Sequence, residues 1–189
     1  MKQYRNSERT RRWIRRAFTE LIAEKREIGK ITVTQLCARA DITKTTFYYH
    51  YADIYAVAEE IETELTETLS AALEEIEKNH PDDYTDYIHR VLTFIKENEE
   101  SYRQVVRAAD LTAFAAKLKT VFRKRIVDVS ADWGLSPDYD KRAVQVCFFV
   151  SASADTVIEY LKGSLPASIE TVGDVICDVV GKLRHTDKK

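Results

Sequence analysis

At 189 residues the chain can hold one large domain or two small ones, and a 44% hydrophobic content is enough for a core. With 32% charged residues, five Gly, three Pro and no sustained period-2 run of β-branched residues, the composition predicts an all-α protein of long helices and few turns. No apolar run approaches the ~20 residues of a membrane helix. The start, MKQYRNSERTRR, lacks the apolar stretch of a signal peptide.

The net charge of −2 does not suggest nucleic acid, but its distribution does. Through Tyr51 there are twelve Lys and Arg against five Asp and Glu, a surplus of seven, so the remainder carries a deficit of nine. A basic N-terminal part on an acidic body is the electrostatic footprint of a modular DNA binder. Residues 1–6 read as a basic tail, disordered in the free protein. Ser7 is a candidate cap for a helix to about Glu27, ended by Gly29. Trp13, Ala17, Phe18, Leu21 and Ile22 are its expected buried face, and Arg11, Arg12, Arg15 and Arg16 crowd its first half.

The stretch ITVTQLCARADITKTTFYYHY, Ile31 to Tyr51, contains two helix starts in quick succession. Thr32 with Gln35 three residues on makes a capping box, and Leu36, Cys37 and Ala40 share one face of the helix it opens. Asp41 and Ile42 break the pattern. Thr43 then caps a second helix through His50. Two short helices joined by a tight turn form a helix-turn-helix. In the second, Phe47 alone suits the buried side. Lys44, Thr45, Tyr48, Tyr49 and His50 face elsewhere and all carry hydrogen-bond donors. A helix of this kind fits the major groove of B-DNA, where its first residues reach base edges while neighbouring donors meet phosphate. Ordinary amphipathic packing by the tyrosines is the plainer reading of the same residues.

This segment resembles the DNA-binding region of the TetR/AcrR family of bacterial repressors. Thr32, Val33, Leu36, Ala40, Ile42, Thr43, Thr46, Phe47, Tyr48, His50 and Tyr51 carry the match, which with the preceding helix covers about Ser7 to Leu65. The resemblance implies a homodimeric repressor whose C-terminal domain responds to a small molecule. It nominates Thr32, Thr34, Thr43, Lys44, Thr45, Thr46, Tyr48, Tyr49 and His50 for DNA binding. Two positions depart from the family pattern. Asp41 replaces the usual turn glycine, and Asp is among the few non-Gly residues that tolerate a left-handed backbone. Ile54 stands where the family often has a phosphate-binding Lys, leaving Asp53 as a helix cap.

From Asp53 one long helix is predicted to about Lys78, the natural lever between two domains, 1–52 for DNA and 53–189 for effector binding and dimerisation. Its Glu-rich outer face (Glu59, Glu60, Glu62, Glu64, Glu67, Glu74, Glu75, Glu77) reads as solvated surface. A loop over 79–83 leads to helices from Tyr84 to about Ile95 and from Glu99 to Arg107. The next is capped by Asp110 and ends near Trp133–Gly134. Ser136 then caps a helix, with Pro137 at its first position, that runs to about Lys162. A turn at Gly163–Pro166 precedes a last helix from Ile169 to Leu183 and a polar tail from His185. The last two helices are apolar beyond the needs of one core face, and can pair with a second copy as an isologous four-helix interface. The family resemblance implies the same interface.

Cys37, Cys147 and Cys177 are odd in number and far apart, and read as buried, reduced thiols of a cytoplasmic protein. They and the scattered His50, His80, His89 and His185 give no metal spacing, and no cofactor is expected. The resemblance places an effector pocket among the middle helices, with Tyr87, Phe94, Tyr102, Phe114, Phe122, Phe148 and Phe149 as candidates. Aromatic residues at helical spacing are also ordinary core. A helical enzyme would need a nucleophile, carboxylate pair or metal set with mutual geometry, and the sequence offers none. A coactivator or adaptor that keeps the helix-turn-helix for protein contact and binds no effector remains the alternative.

Overall fold

Polar caps set most of the helix boundaries. The computed structural model describes residues 2–79, 81, 83–108, 111–129 and 135–184, among which there are nine α-helices and no strand. They are α1 Lys2–Lys25, α2 Val33–Ala40, α3 Lys44–His50, α4 Ile54–Lys78, α5 Tyr84–Glu97, α6 Glu99–Ala108, α7 Leu111–Val129, α8 Tyr139–Lys162 and α9 Ile169–Arg184, with a short 3₁₀ turn at Ile28–Lys30. Thr32, Thr43, Asp53, Asp83 and Ser168 each accept a backbone N–H of the first turn of the helix that follows. These bonds satisfy donors that an uncapped helix end leaves without partners.

Several boundaries differ from the sequence reading. Helix α1 begins at Lys2, so Ser7 lies inside it and does not cap it; residues 2–7 contain no Gly or Pro to stop a helix. It ends at Lys25 because Arg26 turns left-handed, φ 59°, with its N–H on Ile22 O at 2.9 Å, and Gly29 falls in the 3₁₀ turn. Helix α8 is capped by Asp138, which accepts from Lys141 N at 2.9 Å. Ser136 is otherwise engaged: its N–H donates to Gln145 Oε1 and its Oγ accepts from Asp138 N. Its C-terminus closes on Gly163 at φ 81°, a backbone conformation that suits glycine. The expected cap Asp110, the Trp133–Gly134 end, His80, and the tail from His185 lie outside the described residues.

Two main cores form. The first gathers Ile14, Ala17, Phe18, Leu21 and Ile22 of α1, Leu36, Cys37 and Ala40 of α2, Phe47 of α3 and Ile54, Val57 and Ala58 of α4. Trp13 is not among them. The buried stripe of α1 recurs at 14, 17, 18, 21 and 22, and Trp13, one position out of phase, is 44% exposed beneath the Arg9 guanidinium. Helices as short as α2 and α3 are not stable alone. Leu36 and Phe47 are fully buried, and such a side chain contributes about 1.5–3 kcal/mol.

The second core draws on α4 to α9, from Leu69 and Leu73 through Tyr87, Val91, Tyr102 and Phe114 to Leu161, Ile169 and Ile176. Ile61 of α4 packs against both cores, so one rigid helix joins them. Helix α9 lies close on α5 because Gly173 has no Cβ; one added there would come within 2.9 Å of Leu92 Cδ1. The outer face of α4 is not uniformly solvated: Glu62 is 5% exposed and accepts from Lys117 Nζ of α7 at 2.5 Å. Cys147 is exposed, whereas Cys37 and Cys177 are buried. Helix α8 is also long and apolar enough to cross a membrane by length and composition, contrary to the sequence expectation, and only a third of its most apolar window is buried.

Candidate functional site

The turn between α2 and α3 is built by the backbone. The capping box of Thr32 and Gln35 is closed both ways, with bonds of 3.1 and 3.2 Å, and Lys25 Nζ holds the same Gln35 Oε1 at 2.8 Å. Asp41 ends α2 in the left-handed region, φ 53° and ψ 49°, with Cys37 O accepting from the N–H of both Asp41 and Ile42. Thr43 Oγ1 then accepts from Thr46 N at 3.1 Å and shares a 2.9 Å hydrogen bond with Thr46 Oγ1. Helix α3 is thus capped at its start and pinned at its middle by Phe47.

That pinning turns one side of α3 outward. Lys44 and Thr45 are exposed at its first turn, Tyr48 is 56% exposed and Tyr49 76%. Thr34 of α2 is exposed as well. His50 is half-buried, edge-on to the Tyr49 ring at 5.1 Å. Burial, and secondarily the Arg11 guanidinium, push its imidazole below the usual range and so favour the neutral form. Thr32 and Thr43 accept cap bonds on their hydroxyl oxygens and Thr46 Oγ1 is bonded to Thr43 Oγ1, so all three shape the motif.

The arginines of α1 divide by partner. Arg11 and Arg15 reach Glu60 of α4 at 3.5 and 3.9 Å, Arg15 also pairs with Glu64, and Arg16 pairs with Glu20 at 3.0 Å. Arg39 of α2 bonds both Glu24 oxygens, at 2.9 and 3.0 Å. Exposed pairs of this kind stabilise weakly but fix side-chain positions. Among the described residues, Arg12 is the exposed arginine of the cluster without an ion pair or ring contact, which narrows the expected backbone contacts on this helix. Ile54 is buried in the first core and cannot serve as a phosphate anchor. Its neighbour Tyr55, 60% exposed, is a donor the sequence reading missed. The signal was its place one residue after a core position at the start of α4.

A cavity of about 130 Å³ lies in the second core, lined from α4 to α9. Four of the seven nominated aromatics line it: Tyr87, Tyr102, Phe122 and Phe149. The lining stripe of α8 recurs at 149, 150, 153, 154, 157, 158 and 161, so Phe148 is out of phase and 62% exposed. Phe94 is likewise off the lining stripe of α5 and borders a separate shallow groove with Ala72 and His89. Phe114 is fully buried in the core without lining the cavity.

No protein-family model and no curated protein matches the chain. Solved structures do. A TetR transcriptional regulator from Streptococcus agalactiae 2603V superposes with a TM-score of 0.69 at 19% identity, over 95% of this chain and 98% of that one. A chain assigned to the TetR family of transcriptional regulators from Syntrophomonas wolfei gives 0.70 at 14% identity, over 94% and 95%. The fold is that of the TetR regulators. A γ-butyrolactone receptor described as ArpA-like also matches, at 0.61 and 16% identity, over 95% and 98%. The TetR fold therefore extends over nearly the whole chain, well beyond the third of it that carries the sequence resemblance.

Proposed function

We propose that this chain is a sequence-specific, DNA-binding transcriptional regulator, a homodimeric cytoplasmic repressor released from its operator by a small molecule. The observation that carries the reading is α3: capped by Thr43, anchored by Phe47, and turning Lys44, Thr45, Tyr48 and Tyr49 outward on the basic end of an acidic chain. Residues 1–52 form the DNA-binding part, completed by the first turns of α4, and 53–189 the regulatory part. Thr34, Lys44 and Thr45 approach bases or phosphates from the groove side. Tyr48, Tyr49 and His50 donate to phosphate as neutral groups, joined by Arg12 and Tyr55.

Dimerisation through α8 and α9 is supported by the apolar positions they leave in solvent. Val144 and Phe148 stand four apart on α8, and Val175 and Val179 four apart on α9. A second copy covering these stripes accounts for the hydropathy of α8 without a membrane. The cavity of the second core supplies the effector site, and α4, shared by both cores, supplies the connection between it and α3.

Selection of binding sites from a random duplex pool tests the reading. The expected product is an inverted repeat whose half-sites lie one helical turn, about 34–36 Å, or a multiple of this apart. A selected site without two-fold symmetry counts against the dimer. A protein with no salt-dependent affinity for duplex DNA is the adaptor instead.

A further inference from the structure

The cavity carries information about its ligand that the fold does not. Its lining is nearly all hydrocarbon, including Leu69, Val91, Phe122, Phe149 and Val157, and no charged side chain borders it among the described residues. A buried charge without a partner is costly, so this cavity disfavours carboxylate, phosphate and ammonium ligands. Among the few polar side chains of the lining, Tyr84, Tyr87, Tyr102 and Ser153, Tyr102 stands out. It is 2% exposed, and its hydroxyl has no hydrogen-bond partner among the described residues. Burial pushes that phenol well above its usual range, so it remains a neutral O–H donor. The other phenols of the lining, Tyr84 and Tyr87, have interactions of their own.

The ring of Tyr102 is held in place by its neighbour. Arg103 donates from Nη1 to Leu161 O at 2.7 Å and Tyr160 O at 3.3 Å, and from Nε to Glu99 Oε1 at 2.7 Å. Glu99 also accepts from Tyr160 Oη at 2.9 Å. This clamp fastens α6 across the C-terminal end of α8 and fixes the register from which Tyr102 enters the core. A buried donor without a partner, on a fixed helix, beside an apolar cavity is a directing group for a ligand acceptor.

We infer that the cavity takes an uncharged, largely apolar molecule bearing one hydrogen-bond acceptor, a carbonyl or ether oxygen, that accepts from Tyr102 Oη. Its volume, about 130 Å³, approaches that of an engineered apolar cavity of about 150 Å³ that holds benzene, so the buried part of the ligand has about six to ten non-hydrogen atoms. The inference deepens the effector reading and rests on it for its biological meaning.

Three probes of matched shape test it by calorimetry on the full-length protein: acetophenone, ethylbenzene and benzoate. Acetophenone should bind about tenfold more tightly than ethylbenzene, the gain of one hydrogen bond to a buried donor, and benzoate should not bind. Tyr102→Phe should erase the difference between the first two while keeping ethylbenzene affinity. Because the variant removes an unpaired hydroxyl, it should melt no lower than the wild type without ligand. A lower melting temperature would mean the hydroxyl is already satisfied, and would overturn the assignment. Equal affinity for acetophenone and ethylbenzene in the wild type, or preference for benzoate, would overturn it too, as would failure of all three to bind. If acetophenone binds through Tyr102 yet does not release the selected duplex in an anisotropy titration, the ligand chemistry stands and its role as effector class fails.

Discussion

Asp41 takes the left-handed conformation that the turn requires and that glycine adopts without a Cβ penalty. Asp41→Gly should leave the unfolding free energy unchanged or raise it by up to about 1 kcal/mol, the relieved strain being partly offset by the freer unfolded chain. Asp41→Val should lower it by about 1–3 kcal/mol, since a β-branched residue tolerates this region poorly. Urea denaturation of the three proteins checks both signs. Lys44 and Tyr48 separate two kinds of contact. Tyr48→Phe removes a neutral donor, so it should weaken all operators alike and leave the salt dependence nearly unchanged. Lys44→Ala should cost about 1–3 kcal/mol at one base position if the ammonium reaches a guanine. If it meets only phosphate, binding should fall uniformly and the salt slope drop by about one unit. Titration against singly substituted operators at several salt concentrations distinguishes these outcomes, and wild-type binding by both variants would remove α3 from the interface. The local chemistry of this turn was legible in the sequence because caps and left-handed residues obey rules that act within four residues. Tyr55 was harder to assign, because which of two neighbours faces solvent beside the turn depends on how α4 leaves it.

At the scale of elements, two of the misplaced side chains share one cause. Trp13 and Phe148 were assigned inward as large aromatics, yet they lie off the buried stripes of their helices, at 14–17–18–21 and 146–150, whereas Phe94 does pack against the second core and misses only the cavity lining. Phase outweighs residue size, since about 100° of helix rotation separates consecutive side chains. Glu62 went astray for another reason: its neighbours on α4 are solvated carboxylates, and tertiary packing buries it, with Lys117 of α7 as its partner. Removing one partner of such a pair leaves a buried charge alone. Lys117→Met should therefore destabilise the protein by about 2 kcal/mol, and Glu62→Leu combined with Lys117→Met should recover most of that loss. Thermal melts of the single and double variants, read as a double-mutant cycle, check the coupling. A cycle with no interaction energy would show that α4 and α7 are joined by apolar packing alone.

For the whole molecule, the long α4 joins a small basic core to a larger core that holds a cavity, and α8 and α9 leave apolar stripes in solvent. The sequence conveyed the excess of apolar residues on these two helices. It could not apportion them between the core and a second copy, because that depends on how α5 and α7 pack across them. The three thiols turn this into a measurement. Cys37 and Cys177 are buried, and burial raises both thiols, the latter to about 11, so neither should react readily with a water-soluble disulfide reagent at pH 7.5. Cys147 is exposed, one residue before Phe148 and three after Val144, on the stripe assigned to the dimer. At low protein concentration one thiol per chain should label quickly. As the concentration rises through the dimerisation range, that rate should fall by at least tenfold, in step with the mass seen by sedimentation. Phe148→Asp places a charge at the centre of the proposed interface, where it would have no partner on a symmetric surface. The variant should remain monomeric, keep fast Cys147 labelling at every concentration, and bind an inverted-repeat operator far more weakly than the wild type while retaining its thermal stability as a monomer. A Phe148→Asp protein that still sediments as a dimer would locate the interface elsewhere on the molecule.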